Sequence, residues 1–247
     1  MSHKAVVQFE GIKNATKDDR NMWVATVWKL MQASGMKGVQ ELHDSNTING
    51  FVWNVEEQED GKFLFEFSSI REDLVQAVLD GANEAIKKGT AWNLSNDVII
   101  KPTSAFPVED LRIYDGTLRL APVSGIIVNK IVRNQYKNGK KKKHYEAINP
   151  VTERQAFVKS VKQNLLQKVN KFAGTNIKED ECQIRIIASG CQTSMPFRGL
   201  PFVGSMCSIQ IKGPKKLLET ALYAGLGKMN GLGFGMMTPL KKQAFSA

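Results

Sequence analysis

Tyr223-Ala224-Gly225-Leu226-Gly227-Lys228-Met229-Asn230-Gly231-Leu232-Gly233-Phe234-Gly235-Met236 is the stretch from which the rest of this chain is read. Five glycines fall between positions 225 and 235, interrupted by one lysine and one asparagine. Glycine admits positive φ and lets a second backbone come close. Two readings follow. The stretch is a glycine C-cap with a tight turn behind it, or it is a loop that turns N–H groups toward phosphate oxygens, with Lys228 as a mobile positive charge. On the second reading Gly225, Gly227, Lys228, Asn230, Gly231 and Gly233 meet the phosphates. Before the loop, Pro214 marks the first turn of a helix running to Tyr223. After it, Phe234 to Thr238 is expected as a short strand. A dinucleotide fingerprint is excluded, because there the helix follows the glycines and here it precedes them.

Working back from the loop, Gln183 to Ala188 and Ser205 to Lys212 alternate like strands, separated by a Pro/Gly-containing stretch at Ser194 to Gly204. Thr152 to Phe172 is an amphipathic helix with Phe157, Val161, Leu165 and Val169 inside. Its lysines, Lys159, Lys162, Lys168 and Lys171, are expected outside. Thr117 to Ala121 and Gly125 to Val132 are strand-like. Between them and the helix, Tyr136-Lys137-Asn138-Gly139-Lys140-Lys141-Lys142-Lys143-His144-Tyr145 reads as a hairpin tip at an Asn-Gly turn. Its lysines form either a solvated charge run or a phosphate-contacting finger, whose tyrosines could stack on unpaired bases.

The first half repeats the pattern. Ala5 to Phe9 opens as a strand, and Trp23, Val24, Val27, Trp28, Leu30 and Met31 recur at helical spacing behind a cap at Asp18 or Asp19. Strands follow at Phe51 to Val55 and at Lys62 to Ser69, where Phe63, Phe65 and Phe67 alternate. A helix from Arg71 to Lys88 and a strand from Val98 to Lys101 close the half. Pro102 to Gly116 reads as the connection. The order β-α-β-β-α-β in each half predicts an α+β protein of two tandem ferredoxin-like (RRM-like) domains, 1–116 and 117–247, with antiparallel sheets and helices on one face.

Composition narrows the function. The 247 residues carry a formal net charge of +10, which suits a polyanionic partner such as nucleic acid. No apolar run is long enough for a membrane span, so no membrane partner is expected. Cys182, Cys191 and Cys207 lack metal-ligand spacing and are odd in number, which reads as reduced, intracellular thiols. Three histidines make a multi-histidine metal centre improbable. His3 lies at a terminus and His144 in the lysine run. His43, in a polar loop between Gly38 and Gly50, is either a surface side chain or the proton-transfer group.

These residues carry a resemblance. The stretch from Gly225 to Met236, with Leu217-Leu218 and Gly204 to Lys212 before it, resembles the C-terminal signature of the CRISPR repeat-processing endoribonucleases, which belong to the repeat-associated mysterious protein (RAMP) superfamily. Leu42-His43-Asp44, with Phe51 eight residues after the histidine, is similar to that family's Leu-His-acidic segment. The resemblance implies tandem ferredoxin-like domains, a cytoplasmic protein without cofactor or metal, and pre-crRNA as partner. The protein would be a monomer or homodimer, and effector-complex subunits are further partners. It also implies metal-independent cleavage. The 2′-hydroxyl attacks the adjacent phosphate, giving a 2′,3′-cyclic phosphate (or a 3′-phosphate) and a 5′-hydroxyl. His43 takes a proton-transfer role. Some members add a tyrosine and a lysine where this sequence has Trp28 and Asn49, so Lys29, Lys37 or Tyr145 would have to compensate. The alternatives are a non-catalytic repeat-RNA-binding protein of the same fold and, from a different class, a nucleotide-using enzyme.

Overall fold

The structure is a computed structural model that describes residues 2–44, 50–95, 97–137, 140–197 and 200–240. The N-terminal half runs β1 (Lys4–Lys13), α1 (Arg20–Ala33), α2 (Val39–Asp44), β2 (Phe51–Glu57), β3 (Lys62–Ser69), α3 (Glu72–Lys87), β4 (Trp92–Ser95) and β5 (Val98–Val108). Its sheet has the order β2-β3-β1-β5-β4, with each neighbouring pair antiparallel. Setting aside the added edge strand β4, this is the ferredoxin-like arrangement. Period-two alternation puts Phe63, Phe65 and Phe67 into a core with Phe9, Trp23, Leu30, Val78 and Ala82. The Asp19 side chain caps α1 by accepting from the Met22 N–H. Glu72 and Asp73 in the first turn of α3 and Lys87 in its last complement the helix dipole.

The C-terminal half runs β6 (Gly116–Pro122), β7 (Asn129–Lys137), β8 (Lys140–Ala147), α4 (Arg154–Phe172), β9 (Gln183–Phe197), β10 (Leu200–Gly213), α5 (Lys215–Tyr223) and β11 (Met237–Pro239). Its main sheet is ordered β11-β6-β10-β9, the same topology as the first, and β7 pairs with β8 as a separate hairpin inserted before α4. Phe157, Val161, Leu165 and Val169 meet Ile209, Ile211, Leu217 and Leu218 in a second core.

Two stretches expected as breaks are strand. Pro102 to Val108 continues β5, leaving Glu109 to Asp115 as the connection. The reason lies at the sheet edge: β4 pairs only with Val98 to Ile100, so Pro102 and Pro107 bond to β1 on one side and have no strand on the other. Likewise β9 and β10 extend through most of Ser194 to Gly204. Pro196 sits on the outer strand and Pro201 lies beyond the reach of β6. Among the described residues no helix is long and apolar enough to cross a membrane.

Candidate nucleic-acid interface

The glycine-rich loop is mostly interior. Gly225, Gly227, Asn230, Gly231 and Gly233 are buried, and its exposed tip is Lys228 with Met229. Five of the loop's main-chain N–H groups are spent inside the protein. Leu226 donates to the Gly235 carbonyl, Lys228 to Ile127, Leu232 to Met229, Gly233 to Asn230 and Gly235 to Gly125. A side chain at Gly235 is impossible on two counts: its φ is +73°, and a Cβ would lie 1.9 Å from the Leu226 carbonyl oxygen. These glycines therefore let the loop fold onto itself, and the N–H groups named above do not face solvent phosphate.

The filling of that fold is a lysine. Lys168 on α4, expected outside, is fully buried. Its ammonium donates to the carbonyls of Gly225 (2.7 Å), Gly227 (3.1 Å) and Ala224 (3.3 Å) and to Asn230 Oδ1 (2.6 Å). Asn230 returns its amide protons to Leu226 and Phe234. Burial pushes the Lys168 pKa down to about 7. The sequence held a signal for this placement: Lys168 follows Leu165 by three and Val161 by seven residues, on the apolar stripe.

The N-terminal half grips the same loop. Trp53 Nε1–H donates to the Gly231 carbonyl at 2.9 Å. Arg20 donates to the carbonyls of Leu232 (3.1 Å) and Gly233 (3.0 Å), and its guanidinium lies 4.4 Å from the Phe234 ring centroid. Burial lowers the pKa of Arg20. Sequence reasoning missed both residues. The alternation of Phe51, Trp53 and Val55 along the strand is the signal that would have turned Trp53 inward, where it is buried, but no periodicity singles out Arg20.

Lys228 brings the loop to the hairpin. Its N–H bonds Ile127, and its ammonium donates to Asn129 Oδ1 at 2.8 Å. In the β7–β8 register Asn129 faces Ala147, and Ile131 faces Tyr145. Alternation therefore sets Asn129, Ile131 and Tyr145 on the face that Lys228 meets, while Lys130 turns away toward Glu153 and Glu146. Tyr145, Phe202, Val203, Lys228 and Met229 border an open cavity of about 360 Å³. Tyr145 and Lys228 are thus brought together. Lys140 to Lys143 lie on β8, but their side chains fall outside the described residues.

His43, expected in a polar loop, lies instead on the short helix α2, which packs against α1. Its side chain, like Asn49, lies outside the described residues. Both neighbours of the segment, α1 and β2, touch the glycine-rich loop. From the other half, the last turn of α4 reaches the same place, where a Cβ at Gly50 would lie 3.3 Å from the Phe172 ring. The Lys171 ammonium is 5.0 Å from that ring centroid. Trp28 packs edge-on against Phe51, centroids 6.0 Å apart. Lys37 stands exposed on the turn between α1 and α2, and no described contact joins it to Tyr145. His3 is tied down at the junction of the halves, hydrogen-bonded to Asp110 at 2.9 Å and stacked on Tyr223. Among the described residues no cluster of metal-ligating side chains exists.

Two ferredoxin-like units in tandem, clasped by a glycine-rich loop after the final helix, define the RAMP class of proteins. Within that class the model for the C-terminal part of CRISPR associated protein Cas6 matches residues 108–239, more than half of the chain, and the chain belongs to that family. Solved structures agree on the fold. A structure titled as the characterisation of a Cas6-related gene from Pyrococcus furiosus shares 15% identity, covering 98% of this chain and 100% of its own, at a TM-score of 0.73. A RAMP protein described as binding different RNA substrates shares 12% identity, covering 96% and 99%, at 0.73. A Thermus thermophilus Cas6 in a product complex shares 11%, covering 97% and 100%, at 0.69. No curated protein matches the sequence. Fold and family together support a part in processing or binding CRISPR repeat RNA.

Proposed function

We propose that the protein is a CRISPR repeat-RNA endoribonuclease that matures crRNA without a metal ion. The observation that carries this reading is the meeting of Lys228, at the tip of the glycine-rich loop, with Tyr145 at the foot of the lysine-rich hairpin. A cation for phosphate and a ring for a base border the same cavity on a protein of net charge +10. Lys140 to Lys143 extend that surface along the RNA backbone. The buried loop residues Gly225, Gly227, Asn230, Gly231 and Gly233 serve by shaping the tip.

Cleavage proceeds by attack of the 2′-hydroxyl on the neighbouring phosphate. One group takes the 2′ proton, another gives a proton to the departing 5′-oxygen, and positive charge steadies the phosphorane. The products are a 2′,3′-cyclic phosphate (or a 3′-phosphate) and a 5′-hydroxyl. His43 is one of the two proton-transfer groups. Support comes from its helix, which lies between the two elements that hold the loop. Lys37 stands near that helix by sequence. Tyr145 belongs to the binding surface and is the second candidate for a proton. Incubation with repeat RNA in EDTA tests the assignment. His43→Ala should cut the cleavage rate about 10²-fold or more with binding retained. Unchanged cleavage removes His43 from the chemistry. Binding without cleavage by the unaltered protein makes it a non-catalytic repeat-RNA carrier.

A further inference from the structure

A buried lysine ordinarily sits opposite a carboxylate. The described ion pairs include none for Lys168, and the charged groups of α1, α4 and α5 named next have other partners. On α5, Glu219 pairs outward with Lys215 and Lys216. On α1, Arg20 is engaged by the Leu232 and Gly233 carbonyls. On α4 itself, Lys162 reaches Glu179 and Lys171 lies on Phe172. At the loop tip, Lys228 turns to Asn129. What surrounds the Lys168 ammonium is oxygen alone: three main-chain carbonyls and one amide, drawn from residues 224 to 230. A small cation is approached in the same way by oxygens from several sides. An ammonium supplies three N–H donors to them, whereas a neutral amine supplies only two.

We infer that Lys168 is a positioning residue, an internal cation around which residues 224–230 wrap, and that it fixes where Lys228 and Met229 meet RNA. The inference rests on the reading of the loop tip as an RNA contact. Lys168 itself is enclosed and touches no ligand; it acts through the loop. The consequence is a loop whose order depends on one buried side chain: without its N–H donors, the carbonyls of Ala224, Gly225 and Gly227 and Asn230 Oδ1 lose a partner.

The test begins with the free protein. Amide exchange of residues 224–235 is measured in wild type and variants at one pH, alongside affinity for a single-stranded oligouridylate. Lys168→Met should show about tenfold lower protection and about tenfold weaker RNA binding, because four acceptors lose their donor. In Lys168→Ala, added n-propylammonium should restore protection and n-butanol should not. Rescue of Lys168→Ala by n-butanol as well as by n-propylammonium, or by neither, overturns the inference. Wild-type-like protection in a folded Lys168→Met also overturns it. Collapsed protection with unchanged RNA affinity upholds Lys168 as the template of the loop and refutes the loop tip as the RNA contact.

Discussion

At the scale of single residues, the glycine-rich loop is an object lesson in side chains that are absent and one that is present. Gly235→Ala places a methyl group inside the Leu226 carbonyl at a positive φ. The expected cost is on the order of 3 kcal/mol of folding stability, read by urea denaturation. Lys168 fills the space those glycines create. Residue type alone assigns a lysine to water, and only its position on the apolar stripe of α4 argues otherwise. Arg20 and Trp53 are harder still to foresee. Their partners are main-chain oxygens far along the chain, and a carbonyl has the same identity at every position. The sequence thus announced an unusual loop at Gly225 to Gly235, but the groups that shape it became legible only once the two halves were set against each other.

At the scale of elements, alternation and helical spacing did most of the work. Phe63, Phe65 and Phe67 mark β3 from end to end, and α1, α3, α4 and α5 fall within two residues of their expected limits, whereas α2 was read as loop. Prolines misled, because Pro102, Pro107, Pro196 and Pro201 read as breakers until the neighbouring strands show that each has an unpaired side. The β7–β8 hairpin was legible from its Asn-Gly turn, while the pocket at its foot needed the register that faces Tyr145 with Ile131. That ring is 56% exposed and supports no core packing. Tyr145→Ala should therefore weaken single-stranded RNA binding by about 1–3 kcal/mol while leaving the thermal melting point unchanged. Equal loss for RNA whose bases are all paired would show that the ring does not stack.

At the scale of the whole molecule, charge sets the terms of association. The surplus of +10 is carried mostly by lysines, which address phosphate as point charges and bring no base preference of their own. Repeat-RNA affinity should fall steeply with salt. About four phosphate contacts on a single strand imply roughly a fiftyfold loss between about 50 and 200 mM. Fluorescence anisotropy checks this, and a flat titration would count against phosphate gripping. The tandem ferredoxin-like plan was readable from the order of elements alone, repeated in each half.

The clasp between the halves has a consequence for biosynthesis. Trp53 and Arg20 find their acceptors 178 and 213 residues downstream. During translation the leading half therefore emerges with an indole and a guanidinium that have nothing to hold, and the clasp closes only when the glycines leave the ribosome. A nascent chain stalled short of them would carry its histidine helix yet lack the loop that Trp53 and Arg20 hold.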